Sequence, residues 1–222
     1  MENKVYIDRL PEGFTVTAHT GCLGTPDNTL ESIVVGTNCG ADIFEIDLNF
    51  DSNNAPVLSH DTPEGNDNLP FDDALTEAEK NDKIRINIDI KSTANLVEME
   101  RLVIKHGLEN RAFLTGVLNK FVDEVKKQCK VLKHYINVYY DDGIPAFEDI
   151  VAHVRETESI GINLHYSYIT PELVEAMHKE NLLVSAWTAN DTDVMIKLIN
   201  MGVDNITTRH PDKLIELINA NK

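Results

Sequence analysis

The sequence is short of positive charge: 20 Lys and Arg stand against 37 Asp and Glu, a formal net charge of −17. A chain this acidic has no surplus cations to displace counterions from nucleic acid, and anionic membrane repels it. A small anionic partner stays compatible, provided a metal or a local cation receives it. Cysteine is scarce as well. Cys22, Cys39 and Cys129 show neither metal-site spacing nor a disulfide framework, which predicts reduced thiols and a cytoplasmic location. The opening segment MENKVYIDRLPEG is polar and charged and lacks a signal-peptide core. No apolar run reaches membrane-spanning length, so no stable membrane anchoring is expected. Low-complexity stretches and linkers are missing too. The turn HTGCLGTPDN after the first strand does not match the glycine-rich phosphate loop of an open dinucleotide-binding sheet.

What is present is a regular alternation. With 222 residues, 42% of them hydrophobic, the chain can build one large domain with a full core. Strands are predicted at 14–18, around Glu45 and Asp47, and at 85–91, 112–116, 132–138, 160–166, 182–188 and 203–208. A helix follows each. The first has Asn28 as its N-cap, Glu31 three residues on, Leu30, Ile33 and Val34 on one apolar face, and Gly40 at its end. The others are expected at 71–81, 94–106, 119–129, 145–155 with Pro145 in its first turn, 171–179, from Asn190 or Asp191 to Met201, and from Pro211 onward. Asp141, Asp142 and Gly143 read as a turn. Eight strand–helix repeats in one domain of this size predict a (β/α)8 TIM barrel occupying residues 1–222.

The pair Glu45 and Asp47 carries the most chemistry. Strand side chains alternate between faces, so these two carboxylates share one face while Phe44, Ile46 and Leu48 take the other. Two acids side by side in an apolar strand repel each other and are costly to desolvate. A hard divalent cation, Mg2+ or Ca2+, relieves both problems. Asp89 and Lys91 are again two apart, late in the third strand. In a barrel, reactive groups gather where strands end at the C-terminal mouth. His19 ends the first strand, His60 follows the second and Trp187 lies late in the seventh. Two histidines, three carboxylates and a lysine would therefore converge there. His106, His134, His153 and His178 read as structural, and His165 as a rim or core residue. A Cys22/His19 nucleophile pair would leave the carboxylate cluster unexplained.

These motifs, in this order, resemble the glycerophosphodiester phosphodiesterase family. That family's His-Arg-Gly and Pro-Glu-Asn-Thr-Leu turn stand here as His19-Thr20-Gly21 and Pro26-Asp27-Asn28-Thr29-Leu30. Its Gly-Ala-Asp…Glu-x-Asp strand is Gly40-Ala41-Asp42 with Glu45 and Asp47, and its His-Asp pair is His60-Asp61. Its Glu-x-Lys strand is Asp89-Ile90-Lys91. The late signatures appear as Trp187-Thr188-Ala189-Asn190 and as Gly202-Val203-Asp204, with Thr207 or Thr208 and Pro211. The resemblance covers nearly the whole chain. It implies a metal-dependent hydrolase that splits glycerophosphodiesters into glycerol 3-phosphate and an alcohol. Glu45, Asp47 and Asp89 would hold the metal, and His19 and His60 would share the acid and base roles. Lys91, Thr20, Trp187 and Arg209 would bind substrate. The implied partner is a small-molecule phosphodiester, and a homo-oligomer is left open.

Three departures qualify the resemblance. The family's phosphate-holding arginine is Thr20, which lacks charge and a bidentate fork. The third carboxylate is the shorter Asp89, where glutamate is usual. The insertion between the His-Asp pair and the third strand is missing or vestigial. His-x-Gly without arginine, Asp89, and FDSNNAP also resemble the sphingomyelinase D and phospholipase D toxins, which release the alcohol by internal attack and leave a cyclic phosphate. A non-catalytic barrel that binds a phosphoryl ligand is the remaining alternative.

Overall fold

A computed structural model describes residues 7–65, 67–138 and 144–221. The strands are β1 (Thr15–Ala18), β2 (Ile43–Phe50), β3 (Pro56–Leu58), β4 (Arg85–Ile90), β5 (Ala112–Val117), β6 (His134–Asn137), β7 (Gly161–His165), β8 (Leu183–Trp187) and β9 (Asn205–Thr208). The helices are α1 (Leu30–Asn38), α2 (Phe71–Ala78), α3 (Leu96–Lys105), α4 (Val122–Gln128), α5 (Phe147–Glu156), α6 (Pro171–Lys179), α7 (Thr192–Met201) and α8 (Pro211–Ala220). Eight strands pair in parallel in the order β1-β9-β8-β7-β6-β5-β4-β2, and β1 pairs with β2 to close the ring. The predicted (β/α)8 barrel is the fold.

The ninth strand, β3, is additional to the predicted count. It folds back antiparallel on the end of β2, with Leu48 opposite Leu58 and Phe50 opposite Pro56. This hairpin matters for the site, because Ser59 N then donates to the carbonyl of Asp47 at 3.1 Å and leaves His60 beside the mouth.

Several helix details differ from the sequence expectation. The cap of α1 is Thr29, whose Oγ1 accepts from Ser32 N at 3.2 Å. Asn28 has φ 57° and lies outside the helix. Leu30 and Val34 are 46% and 43% exposed, whereas Ile33 is 1% exposed. The buried stripe therefore runs through Ser32, Ile33, Gly36 and Thr37 instead. Pro145 stands outside α5, because Ala146 is extended (φ −58°, ψ 143°) and turns the chain before the helix begins. The expected helix over 119–129 starts as a 3-10 turn, Asn119–Phe121, before α4. Of the two caps expected for α7, Asp191 is the one used, accepting from Asp193 N and Val194 N. The Asp141-Asp142-Gly143 turn lies outside the described residues.

The strands are two-faced in the way their alternation requires. Phe44, Ile46, Leu48, Ile86, Ile88 and Ile90 are buried in the apolar core. Along the same strands Glu45, Asp47, Asn87 and Asp89 take the opposite face and line a cavity. Barrel interiors are commonly filled by Val, Ile and Leu; this one also buries Thr17, Asn137, Asn163, Ser185, Asn205 and Thr207. Hydrogen bonds make that tolerable: Asn205 Nδ2 donates to Thr17 Oγ1 at 2.8 Å, and Ser185 Oγ donates to Asn205 Oδ1 at 3.1 Å.

Candidate active site

The cavity sits where the barrel strands end and has a volume of about 440 Å³. His19, Glu45, Asp47, His60, Asp89, Lys91 and Trp187 all line it. Seven of the nine site residues expected from the sequence are thus brought together. The side chains of Thr20 and Arg209 do not line it.

Glu45, Asp47 and Asp89 form its charged floor. They come from β2 and β4, where Asp47 and Asp89 are register partners. Each offers an oxygen within 4.8 Å of the others'. Lys91 extends from the residue after β4 and bridges two of them, donating to Asp89 Oδ2 and approaching Asp47 Oδ1 at 2.9 Å. Burial opposes ionisation of Asp47, but Lys91 and the amide of Asn28 outweigh it and hold its pKa below the usual range. For Glu45 the Thr20 N–H and the Lys91 charge pull the same way but are outweighed. Burial first, and then the charges of Asp47 and Asp89, push its pKa well above the carboxylate norm. Three carboxylates facing one ammonium leave negative charge uncompensated. The donor set is all oxygen, so the residues present fit a hard divalent cation.

His19 follows β1, and its N–H donates to the carbonyl of Thr208 at 2.9 Å, which ties it to β9. Its Nδ1 lies 2.5 Å from the carbonyl of Thr20. A carbonyl can only accept, so Nδ1 carries the proton and Nε2 is the basic nitrogen. Glu45 Oε2 is 3.7 Å from the same Nδ1. Burial is the largest influence on this ring and lowers its pKa, so the neutral imidazole prevails near neutral pH. His60 stands at the rim, its side chain 69% exposed, with Nδ1 3.0 Å from Asp61 Oδ1. Trp187 ends β8 and meets the His165 ring edge-on, with centroids 5.6 Å apart.

Thr20 is placed differently from the sequence expectation. It is fully buried. Its N–H donates to Glu45 Oε2 at 2.9 Å, and its Oγ1 accepts from Asn28 N at 2.7 Å. Threonine here organises the loop and does not line the cavity. Arg209 makes two parallel bonds to Asp27, Nη1 to Oδ1 at 2.6 Å and Nη2 to Oδ2 at 2.9 Å, beside the cavity. Cys22 is buried; the hydrogen bond its thiol donates to Cys39 and desolvation push its pKa up, which removes it as a nucleophile.

Sequence reasoning passed over several residues here. Asn28 is the partner of Asp47, and Asn137, Asn163 and Lys120 line the cavity. The two asparagines stand at the end of β6 and in the middle of β7, so the rule that pointed to Trp187 could also have found Asn137. Nothing in the sequence singled out Lys120, which follows β5. Gly116 has a structural role next to Asp89. Its φ is +71°, and a Cβ there would lie 2.8 Å from Asp89 Oδ1 and 2.5 Å from the carbonyl of Ile90.

The chain is similar to known proteins in sequence and in fold. Residues 63–213 match the Glycerophosphoryl diester phosphodiesterase family. A protein of Caldanaerobacter subterraneus subsp. tengcongensis named glycerophosphodiester phosphodiesterase is 26% identical over 241 residues, covering 91% of this chain and 97% of its own length. Among solved structures, an Oleispira antarctica phosphodiesterase in complex with the product sn-glycerol-3-phosphate superposes with a TM-score of 0.79 at 21% identity, covering 95% of this chain and 97% of that one. A glycerophosphodiester phosphodiesterase of Parabacteroides distasonis gives 0.76 at 19% identity, covering 95% and 98%.

Proposed function

The chain belongs to the glycerophosphoryl diester phosphodiesterase family, and from that premise we propose that it hydrolyses small glycerophosphodiesters to glycerol 3-phosphate and an alcohol. The observation that carries this reading is the convergence of His19, His60, Glu45, Asp47, Asp89 and Lys91 on one cavity. A binding barrel needs no base and acid beside an uncompensated carboxylate cluster. A diester hydrolase needs all three.

In this reading Glu45, Asp47 and Asp89 hold a divalent ion, Mg2+ or Ca2+. Such an ion supplies charge neutralisation at the phosphoryl oxygens. Lys91 adds a point charge to the same group. His19, kept neutral with its proton on Nδ1, fits the base. His60, exposed and beside Asp61, fits the acid that protonates the leaving alkoxide. Trp187 covers the bound diester from β8, and Lys120 offers a cation at the rim. Among the described residues no helix is long and apolar enough to cross a membrane. The free thiols fit a cytoplasmic location.

Phosphorus NMR of glycerophosphocholine or glycerophosphoethanolamine with added Mg2+ or Ca2+ tests the reading. The expected product is a phosphate monoester, formed only with the ion and lost in Glu45→Ala. A cyclic diester would replace hydrolysis by internal transfer, and no turnover with any glycerophosphodiester would leave a binding barrel.

A further inference from the structure

The loop over residues 19–28 reaches both carboxylates of β2. Thr20 N donates to Glu45 Oε2 at 2.9 Å. Asn28 Nδ2 donates to Asp47 Oδ2 at 2.8 Å, and Asp47 N donates to Asn28 Oδ1 at 3.1 Å. The loop is cross-linked internally, with Asn28 N donating to Thr20 Oγ1 at 2.7 Å, and is tied to α1, with Gly21 N donating to Ser32 Oγ at 2.7 Å. Its outer side is tied to the segment after β9. Leu23 N donates to the carbonyl of Arg209 at 3.0 Å, Arg209 N donates to Asn190 Oδ1 at 2.8 Å, and the guanidinium grips Asp27 with two bonds.

The pair lies directly on the loop. A Cβ added to Gly21 would fall 1.7 Å from Asp27 Oδ1 and 2.5 Å from Arg209 Nη1. The two charged groups therefore close over the Cα of a residue flanked by Thr20, while Asp27 is itself followed by Asn28. One ion pair spanning 182 residues of sequence thus sits next to both residues that orient the β2 carboxylates.

We infer that Arg209 and Asp27 form a clasp whose role is to position Glu45 and Asp47. Arg209 acts through Asp27 and the loop, and not as a ligand of the substrate phosphate. A planar fork on a carboxylate holds direction as well as distance, which a lysine does not. Residues that orient metal ligands from behind commonly change metal affinity by 10–100-fold. The pair is 38% and 46% exposed, so its share of global stability is small. Positioning and folding are therefore separable.

Two measurements on Arg209→Lys, Arg209→Gln and Asp27→Asn test the clasp. The first is amide hydrogen exchange of Thr20 and Asp47 in metal-free protein, which does not depend on the catalytic reading. Exchange at both is expected to speed up in all three variants while the metal-free Tm moves by less than about 4 °C. The second rests on the proposed metal site: calorimetric titration with Ca2+ alone, where affinity is expected to fall about tenfold in each variant and no further in the Asp27→Asn/Arg209→Gln double variant. Unchanged exchange at Thr20 and Asp47 would overturn the clasp. So would Arg209→Lys behaving like wild type while Arg209→Gln does not, since Arg209 would then act by charge alone. A wild-type protein that binds no divalent ion sinks the metal reading, and the exchange experiment still judges the clasp.

Discussion

Asn28 and Asp47 hold each other through two reciprocal hydrogen bonds, side-chain amide to carboxylate at 2.8 Å and backbone amide to side-chain carbonyl at 3.1 Å. Asn28 reaches this position because its φ of 57° lifts it out of the helical path, a conformation asparagine tolerates better than most residues. Asn28→Ala loses both contacts and strains the backbone. Asn28→Gly relieves the strain but restores neither contact. Both are expected to weaken divalent-ion binding by about 10–100-fold, and only the alanine variant to lose additional Tm. Calorimetric titration and thermal melts separate the two effects. Equal ion affinity in wild type and Asn28→Gly would show that the contact does not orient Asp47.

Glu45 governs the pH dependence of ion binding. Its raised pKa means that the folded apoprotein holds a proton there to higher pH than a free carboxylate does, and the ion competes with that proton. Affinity for Mg2+ or Ca2+ should therefore rise with pH, with proton release on binding. Titrations in two buffers of different ionisation enthalpy report that proton directly. At an ion concentration 100 times Kd the folded state should gain about 2.7 kcal/mol. Glu45→Ala or Asp47→Ala should abolish the gain.

Thr20 invites a substitution that the structure argues against. Replacing Thr20 by arginine would put a guanidinium into a fully buried site. It would also remove the hydroxyl that accepts from Asn28 N. Overpacking and an unpaired buried charge together should cost about 3 kcal/mol or more. Thr20→Ser keeps the hydroxyl and should cost about 1 kcal/mol or less. Denaturant melts of the two variants check this. A stable, more active Thr20→Arg would mean that the loop re-forms with the side chain in the cavity.

His106 links the fold to pH away from the cavity. Its ring is 8% exposed, with Nε2 2.8 Å from Asp72 Oδ1 and Nδ1 2.7 Å from Glu79 Oε2. Burial works against protonation, but the two carboxylates outweigh it, and the pKa is raised above 6.5. A raised folded-state pKa gives stability that is complete below the unfolded-state value and is lost as pH rises through the folded one. His106→Gln should therefore lower Tm more at pH 5.5 than at pH 8.5. An equal loss at both would assign His106 a packing role only.

Much of this could be read along the chain, because the informative signals were local. A strand repeats every two residues, so Glu45 and Asp47, and then Asp89 and Lys91, had to share faces wherever the strands went. Strand–helix alternation dictated parallel pairing, and parallel pairing put the strand ends at one mouth. Partnership across the chain was decided only in three dimensions. Nothing near Asn28 in sequence says that it serves Asp47 and leaves the cap to Thr29. Nothing near Thr20 says that it is buried under Asn28. Arg209 and Asp27 stand 182 residues apart and meet only because β9 and β1 are neighbours in the closed ring. Lys91 bridges Asp47 and Asp89 because β2 and β4 pair in a register that sets those acids side by side. Hydrogen bonds of this kind depend on distances of a few tenths of an ångström between segments that local propensity cannot relate, so they belong to the tertiary structure alone.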